Sequence, residues 1–163
     1  MSAVKTLIIL RHGKAAPHDA YPTDHERPLV VRGHAEAEFI GRHLHDHGPR
    51  PELVVSSPVL RAFTTAQLVA KHLRCPLETD QRLMTDVAAS TAWAAAEDAL
   101  KSRACVLVAG HNPTLSSLLE QVIKASGTGH GDMHTGEAAI VQFDGEPALR
   151  SGKLIDRVRL SAE

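Results

Sequence analysis

The chain has 163 residues, 43% of them hydrophobic, which is the size and composition of one domain around one core. Its 18 Lys plus Arg face 19 Asp plus Glu, and a formal charge of -1 supplies no basic field, so DNA and RNA are excluded as expected partners. No apolar run is long enough for a membrane span, and the stretch after Lys5 is too short for a signal-peptide core, so the mature chain is expected to begin near Met1, with no membrane partner. Cys75 and Cys105 sit in a chain that can bury its own core, which predicts free thiols in a reducing cytoplasm rather than a disulfide framework.

The first predicted strand is "TLIIL", followed by a polar, Pro-containing loop from Lys14 to Pro28. A helix over "VRGHAEAEFIGRHLHDHG" follows, with Ala37, Ile40 and Leu44 at helical spacing and a stop at Gly48-Pro49. "ELVVSS" reads as the second strand. Pro58 is tolerated at the first turn of the next helix, "VLRAFTTAQLVAKHL", which carries Leu60, Thr64, Leu68 and His72 along one side and Arg61 in its first turn. "PLET" is a weak third strand, and "STAWAAAEDALK" is a helix on propensity alone. "ACVLVAGHNP" repeats the opening arrangement: a strand, Cys105 to Ala109, ends in Gly110, His111 and Asn112, and Pro113 opens the helix "TLSSLLEQVIK". "SGTGHGDMHTGE" is a loop, and "AAIVQF" and "KLIDRVRL" are two late strands turned by Gly145 and Pro147. This alternation is the rhythm of an α/β fold with a mostly parallel sheet, in one domain over residues 1–163.

In open α/β sheets ligands bind outside the carboxyl ends of the strands. Arg11 and His12 leave the first strand, Arg61 opens the helix after the second, and His111 leaves the fourth, so all four are expected on one rim. Two arginines and two histidines suit phosphoryl transfer, in which negative charge spreads over three oxygens. Guanidinium forks match those oxygens and keep their charge, and a neutral imidazole can attack phosphorus in line. A protonated second histidine with two arginines would neutralise a phosphoryl dianion without a metal or other cofactor. Nearby Ser, Thr and Gly residues and the helix starts after Pro58 and Pro113 add donors.

"LRHGKA", "SSPVLRAFTTA" and "GHNPTLS" resemble the three signature segments of the histidine phosphatase superfamily, the group that includes the phosphoglycerate mutases. "DHERPLVVRGHAEA" resembles the D-x-x-R-P-L stretch of SixA-type phosphohistidine phosphatases, and the likeness runs from Leu7 to about Leu160. It implies a three-layer α/β/α sandwich. It also implies that His12 is the nucleophile and becomes a phosphohistidine, that Arg11, Arg61 and His111 form the phosphate pocket, and that Asp24 lies over the site to position or protonate the substrate. The partner implied is a phosphorylated substrate, such as a phosphohistidine-bearing phosphorelay or carrier protein.

Two departures from the family pattern matter. Thr64 replaces a glutamine common in R-A-x-Q-T-A, and the loop after the third strand, "QRLMTDVAAS", offers only Asp86 where many relatives carry an acid. A poor alkoxide leaving group needs protonation, whereas transfer from one imidazole to another is nearly balanced. The expected activity is therefore metal-independent hydrolysis of protein phosphohistidine; the alternatives are a phosphatase or mutase for small phosphate esters using Asp86, and a binding module without turnover.

The remaining candidates read more plainly. His43 and His47 at i, i+4 could bind a metal but read as a solvated helix end, with no further ligand nearby. His130 and His134 read as exposed loop residues. One Trp and one Tyr give no aromatic interface, and a monomer is expected.

Overall fold

The structure, a computed structural model, describes residues 3–124 and 131–161. Strand β1 (Val4–Arg11) is followed by helix α1 (Val31–His47), β2 (Leu53–Ser56), α2 (Leu60–Leu73), β3 (Leu77–Thr79), α3 (Ala89–Leu100), β4 (Cys105–Gly110), α4 (Thr114–Val122), β5 (Ala138–Asp144) and β6 (Lys153–Val158). The strands form one sheet in the order β3-β2-β4-β1-β5-β6. Pairing is parallel from β3 through β1, and β5 runs antiparallel to both its neighbours. The chain is thus an α/β fold with a mostly parallel sheet.

Strand alternation explains the three layers. Leu7 and Ile9 of β1, Val106 and Val108 of β4 and Val141 of β5 pack with α3 and α4 on one face. Ile8 and Leu10, Leu107 and Ile140 pack with α1 and α2 on the other. Central strands buried on both faces read as unbroken apolar runs, as "LIIL" and "VLVA" do.

Helix α1 buries the stripe that contains Ala37, Ile40 and Leu44, and Gly48 caps it with φ 66. Helix α2 differs from the side singled out by spacing. Its buried stripe is Arg61, Ala62, Thr65, Ala66, Val69, Ala70 and Leu73, while Leu60 is exposed and Thr64, Leu68 and His72 are half-buried. Small residues face the sheet because α1 and α2 also pack on each other: a Cβ on Gly41 would meet the His72 ring at 2.7 Å. Helix α4 ends at Val122, two residues early, because Ile123 turns out to bridge Gly152. The loop after β1 holds two short helical turns, His18–Ala20 and Asp24–Glu26, and another, Gln81–Leu83, follows β3. No helix among the described residues is long and apolar enough to cross a membrane.

Candidate active site

The register of the sheet brings the first two candidates together. β1 and β4 are neighbours with Arg11 opposite Gly110, so the residues that follow, His12 and His111, leave the same edge side by side. Their ring centroids are 5.4 Å apart. β2 pairs on the far side of β4, and the helix it feeds delivers Arg61 to the same rim. Arg11, His12, Arg61, His111 and Asp24 all line one cleft of about 640 Å³, together with Lys14, His18, His25, Arg27, Asp86, Asn112 and Thr135.

The backbone around His12 is held from several directions. His12 N–H donates to Gly110 O at 3.1 Å, Gly136 N–H to His12 O at 2.9 Å, and Gly13 N–H to the Thr65 hydroxyl at 3.0 Å. Thr65 in turn donates to Arg61 O at 2.7 Å, so one hydroxyl ties the two site segments together. Lys14 N–H donates to Glu36 Oε1 at 2.8 Å. Gly13 and Gly33 permit this: a Cβ on Gly33 would stand 2.1 Å from Lys14 O, and one on Gly13 would stand 2.5 Å from Gly33 O.

His12 Nδ1 lies 2.7 Å from Gly13 O, an acceptor only, so Nδ1 carries the proton and Nε2 keeps its lone pair. Burial pushes the imidazole down to about 4, against the Gly13 hydrogen bond and helped by Arg61, Arg11 and Arg27. The ring is neutral at neutral pH, as a nucleophile must be.

His111 corrects one expectation. Burial, then His12 and Arg61, push it down to about 3, so it is neutral rather than the protonated donor read from sequence. The Ser57 hydroxyl, which accepts Val59 N–H at 3.1 Å, lies 2.8 Å from His111 Nε2 and can donate to it, leaving Nδ1–H as a donor. An entering dianion would also raise its pKa.

Asp24 is engaged on both oxygens. Oδ2 accepts from Arg61 at 2.8 Å, and Oδ1 accepts from Arg27 at 3.0 Å with His18 Nδ1 at 3.3 Å. Burial acts to raise its pKa, but the Arg61 and Arg27 contacts override this and hold the carboxyl below its usual range. A carboxylate held ionised is a poor proton donor at neutral pH. Asp86 lines the cleft from a left-handed backbone with φ 63, which Asp tolerates better than most residues.

Among the described residues, three buried side-chain atoms have no hydrogen-bond partner: Arg11 Nε, Arg61 Nε and His111 Nδ1. All belong to residues predicted for the phosphate pocket. Buried unpaired donors cost free energy, about 1–3 kcal/mol each, that an anion's oxygens would recover.

Sequence reasoning missed several partners. Glu36 stands in the apolar stripe of α1, a signal that it is held for a reason, and it also pairs with Arg32 at 3.4 Å. Thr65 adjoins the Thr64 departure, and it is Thr65 that makes the site contacts. Arg27 stands within "DHERPL", where sequence alone suggests no role for it. His134 is exposed and outside the cleft, and His130 lies outside the described residues. The His43 and His47 rings stand 4.9 Å apart, and no group of three metal-ligating side chains occurs among the described residues. Cys75 and Cys105 are both free thiols.

A model of the histidine phosphatase superfamily (branch 1) matches residues 7–85. An uncharacterised protein from Picosynechococcus sp. is 33% identical over 149 residues, covering 90% of this chain and 85% of its own. Among solved structures, the protein histidine phosphatase SixA complexed with tungstate superposes with a TM-score of 0.81 at 25% identity, over 94% of this chain and 96% of that one. A candidate phosphohistidine phosphatase SixA from Agrobacterium tumefaciens gives a TM-score of 0.80 at 25% identity, over 94% and 97%.

Proposed function

The chain belongs to the histidine phosphatase superfamily, and from that premise we propose that it hydrolyses phosphohistidine on a protein through a phosphorylated His12. The observation that carries this reading is the neutral His12, with its Nε2 lone pair free, in a cleft where the buried Arg11 Nε, Arg61 Nε and His111 Nδ1 have no hydrogen-bond partner among the described residues. His12 Nε2 attacks phosphorus and the P–N bond to the substrate imidazole breaks, the departing nitrogen keeping the electron pair and taking a proton. Water then attacks the phosphoryl group on His12, and phosphate leaves as His12 regains its lone pair. Arg11, Arg61 and His111 hold the phosphoryl oxygens in both steps without a metal or cofactor.

Two observations favour phosphohistidine over an alkyl ester. Asp24 is ionised by its arginine contacts, so it orients guanidinium groups and does not protonate an alkoxide. A leaving imidazole makes a smaller demand for an acid, and the transfer is nearly isoenergetic. The likeness to a SixA that was solved with tungstate, an oxyanion with the shape of phosphate, supports the same pocket. The second reading, hydrolysis of small phosphate esters, is favoured by Asp86, which lines the cleft and is exposed.

The test is phosphate release from a phosphohistidine-bearing protein and from a simple phosphomonoester, in chelator, by wild type and His12→Ala. Release from the phosphoprotein, lost by at least about 10³-fold in the variant, supports the proposal. Turnover of the ester alone, lost in Asp86→Asn, moves the assignment to the second reading. Oxyanion binding without turnover of either would leave a binding module.

A further inference from the structure

The D-x-x-R-P-L stretch contains an arginine to which the phosphatase reading gives no role. Arg27 is 8% exposed, lines the cleft, and is held at two points: Nε donates to Asp24 Oδ1 at 3.0 Å and Nη1 donates to Ala16 O at 2.7 Å. Burying a guanidinium costs free energy unless it is paired, and here one carboxylate oxygen and one carbonyl supply the pairing. The carboxylate is shared, because its other oxygen holds Arg61 at 2.8 Å. Asp24 therefore fixes two guanidinium groups relative to each other at the rim that carries His12. Nη2 of Arg27 has no hydrogen bond among the described residues, so the guanidinium is held through Nε and Nη1 while its second terminal amino group keeps its donors unused.

We propose that Arg27 is a third phosphoryl-binding arginine, aimed by Asp24 and the Ala16 carbonyl so that its Nη2 donates to the substrate's phosphoryl group. The proposal rests on the phosphate-pocket reading and extends it. Arg11 and Arg61 come from the strand end and the helix start, and Arg27 comes from the loop between β1 and α1, so the three cations reach the cleft from three different segments. The charge of Arg27 is also felt at His12, where it helps to lower the imidazole pKa. Asp24 is then a positioning residue, and its spacing of three from Arg27 has a physical reason: a short helical turn, Asp24–Glu26, places the carboxylate beside the guanidinium.

The experiment uses tungstate as the probe, with wild type, Arg27→Gln and Arg27→Lys. Arg27→Gln should weaken tungstate binding about 10- to 100-fold, the loss expected for one charge-assisted hydrogen bond. Arg27→Lys should recover part of this, since it restores the charge without the fork. In the same proteins the His12 ring, followed by NMR, should titrate at slightly higher pH in Arg27→Gln than in wild type, because a nearby positive charge is lost, and Arg27→Lys should move it back. Should Arg27→Gln fail to fold, the wild type carries the test: its Arg27 guanidinium NMR signals should shift as tungstate is added. Unchanged tungstate affinity in a folded Arg27→Gln, whatever its His12 titration, or unmoved Arg27 signals in wild type, overturns the proposal. Failure of wild type to bind tungstate at all overturns the phosphate pocket, and Arg27 with it.

Discussion

His12 is the proposed nucleophile, and two of its properties come from different neighbours. The Gly13 carbonyl selects the tautomer, and burial, reinforced by three arginine charges, removes the proton. Ordinary histidine is partly protonated near pH 6.5, where a phosphatase would lose nucleophile. In this chain the free site keeps the neutral ring until about pH 4. A ¹³C or ¹⁵N titration of the imidazole should therefore show no transition near pH 6.5 and the neutral Nδ1–H form throughout pH 5–8. A midpoint near 6.5 would mean that the pocket does not exclude water as its burial indicates.

At the scale of elements, the approach of α1 to the loop after β1 decides where the proposed nucleophile sits. The first turn of α1 presses Gly33 against Lys14, and Glu36, one turn further on, accepts the Lys14 N–H. Gly33 also lies against Gly13, and with no side chain on either residue the two backbones can meet. Gly33→Ala puts a methyl 2.1 Å from the Lys14 carbonyl oxygen, a contact that only backbone movement relieves. Overpacking of this kind costs about 1–3 kcal/mol. The movement falls two residues from His12, so activity should drop further than stability, by more than about 10-fold in kcat. Urea unfolding and steady-state rates on the same preparation check both halves. A variant with near wild-type kcat would show that α1 does not set the nucleophile's position.

Across the whole molecule, the legible features were those with a local signature. Apolar runs marked β1 and β4, and the charged or polar residues just past their ends marked the rim, because strand order and register convert "the residue after the strand" into a place. Contacts made across elements were not legible. The inward stripe of α2 is set by packing on α1 and the sheet, and the side chosen from spacing alone faces outward in part. The neutral state of His111 depends first on burial and then on His12 and Arg61, residues 50 or more positions away in sequence that only folding brings close. Thr65, Ser57 and Glu36 are likewise ordinary residues until the tertiary structure hands them a partner.

The same two histidines couple the site to the stability of the entire domain. Their folded pKa values, about 4 for His12 and about 3 for His111, lie below the value of about 6.5 in an unfolded chain. Below pH 6.5 the unfolded chain binds protons that the native state refuses, so stability is full above 6.5 and is lost as pH falls toward 4 and then 3. At pH 5 each group should have cost about 2 kcal/mol relative to pH 8. On the proposed reading, this acid sensitivity is the cost of keeping the His12 nucleophile neutral. Replacing both, in His12→Gln/His111→Gln, should abolish activity yet flatten the fall in urea midpoint between pH 7 and 5 that the wild type shows. Parallel curves for the two proteins would mean that the histidines titrate alike folded and unfolded, and that the pocket does not hold them neutral.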